Sequence, residues 1–244
     1  MRTIRIYAPF ENGLEGRRII ITGNAHHHMM HVLRLTHGQE VVVFNGTGNT
    51  FTAMIERMEK KSAQLTLLRA LPCTPESPMQ LHIAQGICKG DRMDFVIQKA
   101  TELGATSITP IYSQRVHFKM DEDRAGKKFE HWQNVLIAAC EQSHRDTLPV
   151  LHQPIKLDAW LAQVKTDKRF ILSPEASRGF QSSDADGSVS LLIGPEGGLT
   201  PEEVNLAVEC ADFQSVRMGP RVLRTETAGL VALSILQYLG GDLR

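Results

Sequence analysis

The sequence predicts an α/β protein in which a small β-barrel precedes a domain built on a parallel sheet. In the first 70 residues, short apolar runs are separated by turn signals, a pattern typical of small closed or nearly closed barrels. From residue 79 onward, continuous apolar runs alternate with helical segments, which indicates a parallel sheet with helices on both faces. With 244 residues, 42% of them hydrophobic, the chain is long enough to bury such a core.

The predicted barrel has short strands and one helix. The strands, which are rich in β-branched residues, cover 17–22, 39–44, 50–56 and 63–68. Asn45-Gly46 marks a tight turn between the second and third strands. Asn24 is predicted to cap the helix, and Gly38 lies just beyond its end. The proline-rich segment 71–78 then reads as a linker.

This linker places the two predicted domains at 1–72 and 73–244. In the second domain, the predicted strands cover 79–85, 107–112, 169–173, 188–194 and 213–218, and the predicted helices cover 91–103, 122–142, 201–210 and 225–239. Thr200 and Glu203, three residues apart, predict a capping box at the start of the third helix. Pro201 fits the first helical position, where its missing N–H costs nothing.

Charge and terminal sequence narrow the class of protein. The chain carries 27 basic and 27 acidic residues, but residues 1–70 hold nine lysines and arginines against five acidic residues, a local net charge of +4. A small basic segment of this kind fits contact with a polyanion. No apolar run reaches the roughly 18 residues of a membrane span, and the N-terminus lacks the apolar centre of a signal peptide. We therefore expect a cytoplasmic protein.

The four cysteines predict neither a disulfide framework nor a thiolate metal site. They are widely spaced along the chain and form no C-x-x-C pair. We expect them to be reduced and mostly buried.

Two Gly-Pro turns follow predicted strands of the second domain. IGPEGGLTPEEV at 193–204 places Gly194-Pro195 and a pair of adjacent glycines between a strand and a helix, and MGPRVLRTETA at 218–228 repeats the Gly-Pro turn. The two strands could be neighbours. Open α/β sheets bind ligands at the carboxyl ends of their strands, and glycines allow either a positive φ or close approach of another group. A plain turn is the alternative. Walker A and G-x-G-x-x-G motifs are absent, which excludes nucleoside triphosphates and NAD.

These two segments resemble the signature of SPOUT-class methyltransferases. The whole chain resembles the RsmE family, which methylates N3 of a uridine in small-subunit ribosomal RNA. Further motifs of that family are HVLRL at 31–35, KGDRMDFVIQKATELG at 89–104 and EQSHR at 141–145. One departure lies in SQRVHF, where Gln114 stands in place of a glutamate, which argues against an acid role at this position.

The resemblance implies a PUA-like or OB-like barrel joined to a SPOUT-type α/β domain, whose C-terminal part, roughly 169–244, is tied in a deep trefoil knot. The family binds S-adenosylmethionine in that knot. The implied cofactor-binding residues are Leu172, Ile193, Gly194, Pro195, Glu196, Gly197, Gly198, Met218, Gly219, Leu223, Arg224 and Thr225. The glycines would let the flat adenine approach the main chain without meeting a Cβ. The large apolar side chains of this set would sandwich the ring, or else simply pack in the core. They are Leu172, Ile193, Met218 and Leu223.

Methylation at N3 requires that the N3 proton be removed or that the resulting anion be stabilised. We predict Arg221 and Glu226 as catalytic residues: Arg221 could steady negative charge on the uracil carbonyls, and Glu226 could accept the proton. The alternative role for Glu226 is to complement a helix N-terminus. The RNA-binding candidates are His31, Arg34, Arg115, His144 and Arg145.

The run HHHMMH places His27 and His31 on one face of the first helix, and Arg34 lies one turn beyond. Two ligands do not make a metal site, and no H-E-x-x-H motif is present, so no metal is expected. We predict an RNA-facing stripe instead, with Met30 and Leu33 facing the barrel.

The last predicted helix is apolar on nearly all sides, so it should be buried on more than one side. A second copy is the simplest partner, and the resemblance implies a homodimer with a site shared across the interface. The predicted function is S-adenosylmethionine-dependent methylation of uridine N3 in 16S ribosomal RNA, either as bare RNA or in the assembled small subunit. The alternatives are a SPOUT enzyme acting on a ribose 2′-hydroxyl or another RNA base, and a non-catalytic RNA-binding factor.

Overall fold

The computed structural model describes residues 4–11, 15–116 and 122–243. The chain divides into two compact units, the first comprising 1–76 with 140–148 and the second 77–139 with 149–244. The domain boundaries at 1–72 and 73–244 stay a prediction.

The first unit is built on a five-stranded sheet. Its strands are β1 Arg5–Tyr7, β2 Arg18–Thr22, β3 Glu40–Phe44, β4 Thr50–Met58 and β5 Ser62–Leu71. Their order is β1-β3-β4-β5-β2, with β1 and β3 parallel and the other pairs antiparallel. Alternate residues face one apolar core, for example Ile6, Ile21 and Val43. Sequence reasoning missed β1 because three residues are too few for a period-2 pattern.

The helix of this unit is shorter and wider than predicted. It consists of α1, Gly23–His27, and a π-helical turn, His28–Val32. Its N-cap is Thr22 instead of Asn24, and no side chain caps it. The wider i→i+5 turn changes which side chains face inward. Met29, not Met30, is fully buried, while Leu33 packs against the core as predicted.

A segment from later in the chain completes the first unit. The buried carboxylate of Asp146 accepts hydrogen bonds from Arg5 Nη2 at 2.5 Å, Thr50 Oγ1 at 2.7 Å and the Thr74 amide at 2.6 Å. Burial opposes ionisation of Asp146, but these three donors outweigh it and lower its pKa. Asp146 therefore ties together parts of the unit that are far apart in sequence.

The second unit contains a parallel sheet. Its strands among the described residues are β6 Gln80–Gly86, β7 Ser107–Tyr112, β8 Val150–Leu151, β9 Ile155–Lys156, β10 Lys168–Leu172, β11 Ser188–Ile193 and β12 Gln214–Val216. Their order is β12-β10-β11-β6-β7-β8, and β9 also pairs with β7. Every pair is parallel, so the carboxyl ends of the strands meet at one edge.

Helices cover both faces of this sheet, as predicted. They are α2 Arg92–Glu102, α3 Glu122–Ser143, α4 Leu157–Leu161, α5 Pro201–Asn205 and α6 Thr225–Gly240. On one face, α6 packs on α2, β6 and β11. On the other face, Leu157 and Leu161 of α4 share an apolar cluster with Leu192 of β11. The strands β8 and β9 and the helix α4 are too short for a periodic pattern, and sequence reasoning missed them.

The capping box at the start of α5 is confirmed. Thr200 Oγ1 accepts from the Glu203 amide at 3.3 Å, and Glu203 Oε2 accepts from the Thr200 amide at 2.9 Å. Pro201 occupies the first turn. A π-helical turn, Leu206–Cys210, continues the helix, so the predicted range 201–210 is helical throughout.

The two strands that end in Gly-Pro turns are not neighbours, contrary to one possibility the sequence left open. β10 lies between β11 and β12 and pairs with both. Strand order depends on contacts between distant segments, which the local pattern does not encode. All three strands are parallel, so both turns still lie at the carboxyl edge of the sheet.

Half of the cysteines are exposed, so the expectation that most are buried is wrong. Cys73 and Cys210 are exposed, whereas Cys88 and Cys140 are buried. Burial raises the pKa of Cys88 and of Cys140 to about 12, which keeps both thiols protonated. None of the helices in the described ranges is both long enough and apolar enough to cross a membrane.

Candidate active site

The turn after β11 needs two of its glycines for its own geometry. Gly198 has a φ of +69°, and its amide donates to Pro195 O at 2.8 Å. A Cβ on Gly194 would lie 3.1 Å from the carbonyl carbon of Gly198. This turn therefore explains Gly194 and Gly198 without a ligand. Their cofactor role stays a prediction, and for Gly194 the space beside its Cα is filled by the turn itself.

Gly86, at the end of β6, is a residue of this site that sequence reasoning missed. A Cβ there would lie 2.4 Å from Pro195 N, so only glycine lets the end of β6 and the turn approach this closely. A glycine at the end of a predicted strand, as in HIAQG at 82–86, indicates close approach of backbone. That signal was available in the sequence.

Thr225, the first residue of α6, is hydrogen-bonded to the same turn. Its hydroxyl donates to Gly194 O at 2.5 Å and accepts from Gln85 Nε2 at 2.8 Å. Gln85 lies in β6, immediately before Gly86. The start of α6 is thus bonded to the turn after β11 through the Thr225 side chain, which in turn is bonded to the Gln85 side chain of β6.

The second Gly-Pro turn, after β12, is open. Gly219 has a φ of +88°, and a Cβ there would meet no atom of the described residues within 4 Å. Arg221 and Val222 are exposed. Arg221 makes no hydrogen bond or ion pair within the described ranges. Space beside the Cα of Gly219 and a free guanidinium are what a bound ligand would need at this corner.

A cluster of charged side chains connects the two turns. Arg92 Nη1 donates to Glu196 Oε1 at 2.9 Å, and Arg92 Nε lies 3.8 Å from Glu226 Oε1. Arg224 Nη1 lies 3.9 Å from the same Glu226 oxygen. Sequence reasoning missed Arg92, although it lies in the family motif KGDRMDF. Arg92, Arg224 and Glu226 line a cleft of 740 Å³ together with Phe95.

The two carboxylates of this cluster differ in their surroundings. Burial opposes ionisation of Glu196, but hydrogen bonds from the Lys89 amide and from Arg92 lower its pKa. Glu226 Oε2 is buried and has no hydrogen-bond partner among the described residues. Glu196 is thus held as a charged anchor, whereas Glu226 keeps one oxygen free to accept a proton.

The predicted apolar sandwich is only partly available. Leu172, Met218 and Leu223 are half-buried at the carboxyl edge. Ile193 is 2% exposed, and a Cβ on Gly229 of α6 would lie 3.5 Å from its side chain. For Ile193, core packing under α6 is therefore the interpretation that the structure favours.

Arg115 contacts the turn after β11. Its Nη1 donates to Gly197 O at 2.9 Å, and a Cβ on Gly197 would lie 3.3 Å from Arg115 Cβ. The neighbouring Gln114 uses its amide to donate to Glu203 Oε1 at 2.7 Å. Of the segment SQRVHF, residues 117 and 118 lie outside the described residues. An RNA-binding role for Arg115 stays a prediction.

Among the RNA-binding candidates of the first unit, His31, Arg34 and His144 are exposed and Arg145 is not. Arg34 does not continue the helix of His31, because the helix ends at Val32 and Arg34 has a left-handed φ of +53°. The helical basis of the predicted stripe is therefore wrong. His144, with a φ of +64°, follows the end of α3.

Arg145 needs a correction. It is 8% exposed and forms an ion pair with Glu76, so it stabilises the first unit and is not presented to RNA.

The rings of His27 and His31 lie 4.7 Å apart. In the described parts of the chain, no three histidine, cysteine or acidic side chains are grouped as metal ligands would be.

Comparison with known proteins places this geometry in a family. The RNA methyltransferase domain matches residues 75–237, and the RNA methyltransferase PUA domain matches residues 21–68. Ribosomal RNA small subunit methyltransferase E of Buchnera aphidicola (from Schizaphis graminum) is 33% identical over 219 residues, covering 89% of each chain. The enzyme of that name from Bacillus subtilis is 33% identical over 228 residues, again covering 89% of each.

Two solved structures cover the whole of both chains. A putative methyltransferase from Legionella pneumophila, in complex with S-adenosylmethionine, has a TM-score of 0.94 and 41% identity. Ribosomal RNA small subunit methyltransferase E from Neisseria gonorrhoeae, bound to S-adenosylmethionine, has a TM-score of 0.87 and 36% identity. The chain therefore belongs to the ribosomal RNA small subunit methyltransferase E family, with a PUA-like N-terminal domain and a SPOUT-type methyltransferase domain.

Proposed function

We propose that this protein is an S-adenosylmethionine-dependent methyltransferase that methylates N3 of a uridine in 16S ribosomal RNA. The observation that carries the proposal is its full-length similarity, at 36% to 41% identity, to two structures that hold S-adenosylmethionine. The chemistry of the site agrees with it, because one edge of the sheet presents two glycine-proline turns, a free arginine and a carboxylate.

The residues at this edge fit S-adenosylmethionine. The space beside Gly219 admits a flat ring against bare backbone, and Leu172, Met218 and Leu223 provide half-buried apolar contacts. The remaining proposed contacts are Pro195, Glu196, Gly197, Gly198, Arg224, Thr225 and the main chain of Ile193 and Gly194. When bound, S-adenosylmethionine supplies a methyl group made electrophilic by its sulfonium.

The protein's own task is to align the uridine and manage its charge. As N3 acquires the methyl group, it loses its proton, and the free oxygen of Glu226 is available to accept it. Arg221 is available to stabilise negative charge on the uracil carbonyls, since no described residue forms an ion pair with its guanidinium. The guanidinium groups of Arg92 and Arg224 lie 3.8 and 3.9 Å from Glu226 Oε1, on the carboxylate oxygen that is not free.

We also propose that residues from roughly 169 to 244 form a deep trefoil knot, in a methyltransferase domain that runs from 73 and follows a barrel domain at 1–72. Two observations support the knot. β12 lies at the edge of the sheet, whereas α6, which follows it, returns to β6 and β11 near the centre. On the way, the chain passes the turn after β11, to which Thr225 is bonded.

The partners follow from the same proposal. The proposed substrate is small-subunit ribosomal RNA, either as free RNA or in the assembled small subunit. We therefore propose a cytoplasmic location. The proposed reaction uses no metal. His31, Arg34, Arg115 and His144 are the proposed RNA contacts. A homodimer is supported by α6, whose second face carries half-buried Leu230, Val231, Ile235 and Leu239.

The test is nucleoside mass spectrometry of 16S ribosomal RNA from a strain that lacks the gene. We expect the loss of one N3-methyluridine, restored by the wild-type gene and not by Arg221→Ala. Loss of a 2′-O-methyl nucleotide instead would show a different methyl acceptor. An unchanged methylation pattern, together with no calorimetric binding of S-adenosylmethionine, would indicate a non-catalytic RNA-binding protein.

A further inference from the structure

Gln85 is a buried amide at the carboxyl end of β6 that the proposed chemistry does not use. Its side chain is 0% exposed. Nε2 donates to Thr225 Oγ1 at 2.8 Å and to Gly86 O at 3.1 Å. Oε1 is buried and has no hydrogen-bond partner among the described residues. Parallel strands buried on both faces are normally apolar, so a glutamine here calls for an explanation.

The contacts of Gln85 fix the direction of a hydrogen bond at the turn. An amide NH₂ can only donate, so Thr225 Oγ1 must accept from Gln85. A hydroxyl has one proton, and that of Thr225 is then directed to Gly194 O, 2.5 Å away. The chain of bonds runs one way, from β6 through the start of α6 to the turn after β11.

Stability alone does not account for this amide. A buried acceptor without a partner opposes folding, and an apolar side chain of the same size would avoid that penalty. The Gln85 amide therefore lowers the stability of the fold, and it lies next to the turn that the proposed function assigns to the cofactor.

We propose that Gln85 is a positioning residue for the cofactor turn. By orienting the Thr225 hydroxyl, it holds the Gly194 carbonyl and the first turn of α6 in the arrangement that binds S-adenosylmethionine. This inference rests on the proposed function. It assigns Gln85 no contact with the substrate or with the reacting atoms.

The test compares two buried glutamines in the same unit. Gln85→Met keeps the size of the side chain and removes the donor. We expect the Kd for S-adenosylmethionine, measured by calorimetry, to rise about tenfold, the effect of one lost hydrogen bond. KM for the cofactor should rise in parallel, whereas kcat at saturating cofactor should change less than twofold, since no reacting atom is touched.

Gln237→Met is the matched control. Gln237 is also fully buried, and it lies on α6, where it donates to Leu103 O at 2.9 Å and accepts from Ser77 Oγ at 2.7 Å. Its loss should lower Tm and leave the Kd for S-adenosylmethionine unchanged. Equal losses of affinity in both variants would overturn the inference, because a general loosening of the unit would explain them.

Two more variants test the direction of the bonds. Gln85→Glu, when ionised, offers only acceptors, so at a pH where this carboxylate is charged it should draw the Thr225 proton away from Gly194 O and weaken binding at least as much as Gln85→Met. In a Thr225→Val background, Gln85→Met should add less than a twofold further loss, since the two residues act through one bond. Additive effects would overturn the inference.

The remaining outcomes also decide it. If Gln85→Met is unfolded, the amide is structural and the inference is wrong. If the wild type binds S-adenosylmethionine and Gln85→Met binds it equally well, only the inference fails. If the wild type does not bind S-adenosylmethionine at all, both the inference and the proposed function fail.

Discussion

Arg221 is the residue whose surroundings most directly suggest action on a substrate. It is exposed, and it has no ionic or hydrogen-bonded partner within the described ranges. Replacing it with alanine should therefore leave Tm unchanged and the Kd for S-adenosylmethionine within twofold. We expect methyl transfer to fall about 10²- to 10³-fold, the usual effect of removing one electrostatic stabiliser. Incorporation of labelled methyl groups into 16S ribosomal RNA measures this.

Lys165→Ala is the control for Arg221→Ala. Lys165 is exposed near the amino ends of the strands, where it lines a separate cleft with His82 and Trp160. Lys165→Ala removes one positive charge without changing the proposed site, so methyl transfer should stay at the wild-type rate. A similar loss in both variants would indicate a general effect of charge on RNA binding and would contradict a specific role for Arg221.

Glu226 has two interpretations that one substitution separates. Glu226→Gln keeps the size of the side chain but cannot take up a proton at neutral pH. If the carboxylate is the base, kcat should fall about 10²- to 10⁴-fold with little change in Tm. Glu202→Gln is the control, because Glu202 is an exposed acid in the first turn of α5. If both variants merely lower Tm and both keep kcat, Glu226 only complements a helix N-terminus.

At this scale, the sequence predicted residues with a distinctive local signal and missed those defined by packing. Glu196 and Gly198 follow from their motif. Arg92 matters because it lies between Glu196 and Glu226, which are 30 residues apart in the chain. Arg145 shows the converse, since its charge predicted RNA contact and its ion pair with Glu76 buries it.

At the scale of elements, the two Gly-Pro turns differ in how clearly a substitution of their glycines tests cofactor binding. Gly198→Val would strain the left-handed φ of +69° whether or not a ligand binds, so its loss of binding has two explanations. Gly219→Ala carries the same kind of backbone strain, at a φ of +88°, but its added Cβ meets only open space, so a second glycine with the same surroundings can serve as the control for that strain. We expect the Kd for S-adenosylmethionine to rise more than tenfold, since the methyl group would occupy space proposed for the cofactor.

Gly38→Ala is the matched control for Gly219→Ala. Gly38 has a φ of +81° and open space around its Cβ, so the backbone cost of about 1 kcal/mol should be the same. Chemical unfolding should show this loss in both variants, while calorimetry should show weaker S-adenosylmethionine binding in Gly219→Ala alone. Unchanged binding in Gly219→Ala would mean that its left-handed turn needs a glycine only for conformation.

Elements were predictable where a local rule fixes them. The α5 capping box combines a hydroxyl, a carboxylate and a proline at set spacings, and it is present as predicted. The π-helical turns are not predictable in this way, because they are imposed by which side chains the rest of the unit can bury. The place of β10 between β11 and β12 is likewise set by distant contacts.

On the scale of the whole molecule, Asp146 makes the stability of the first unit depend on the segment 140–148, which lies far along the chain from the rest of that unit. Asp146→Asn leaves the buried Arg5 without its charged partner, so the free energy of unfolding should fall by about 3 kcal/mol, measured with urea at pH 7. The exposed ion pair of Asp186 with Lys168 provides the control, and Asp186→Asn should have no measurable effect.

The same residue predicts a pH dependence. The pKa of Asp146 is lower in the folded state than the value of about 3.9 in an unfolded chain. Its contribution is therefore complete above that value and is lost as the pH falls through the folded pKa. The difference in unfolding free energy between the wild type and Asp146→Asn should be constant from pH 5 to 7 and shrink below about pH 4. A difference that does not change with pH would contradict this explanation.

The proposed homodimer also belongs to the scale of the whole molecule, and α6 supports the proposal. Within one chain, α6 buries a single stripe that includes Gly229, Leu233 and Leu236. Its other side keeps apolar residues only half-buried, and Tyr238 is 66% exposed. Because Tyr238 contributes little to the fold of one chain, Tyr238→Asp should leave Tm of a dilute sample almost unchanged. If a second copy covers this side, the added charge should separate the two chains.

Size-exclusion chromatography with light scattering measures this. The wild type should elute at twice the 27.2 kDa of the chain, and Tyr238→Asp should elute as the monomer or shift towards it on dilution. Val150→Asp places the same charge on an exposed apolar residue at the β8 edge of the sheet and should remain dimeric. A wild type that stays monomeric at micromolar concentrations would contradict the dimer. A Tyr238→Asp dimer as tight as the wild type would show that the partner binds elsewhere.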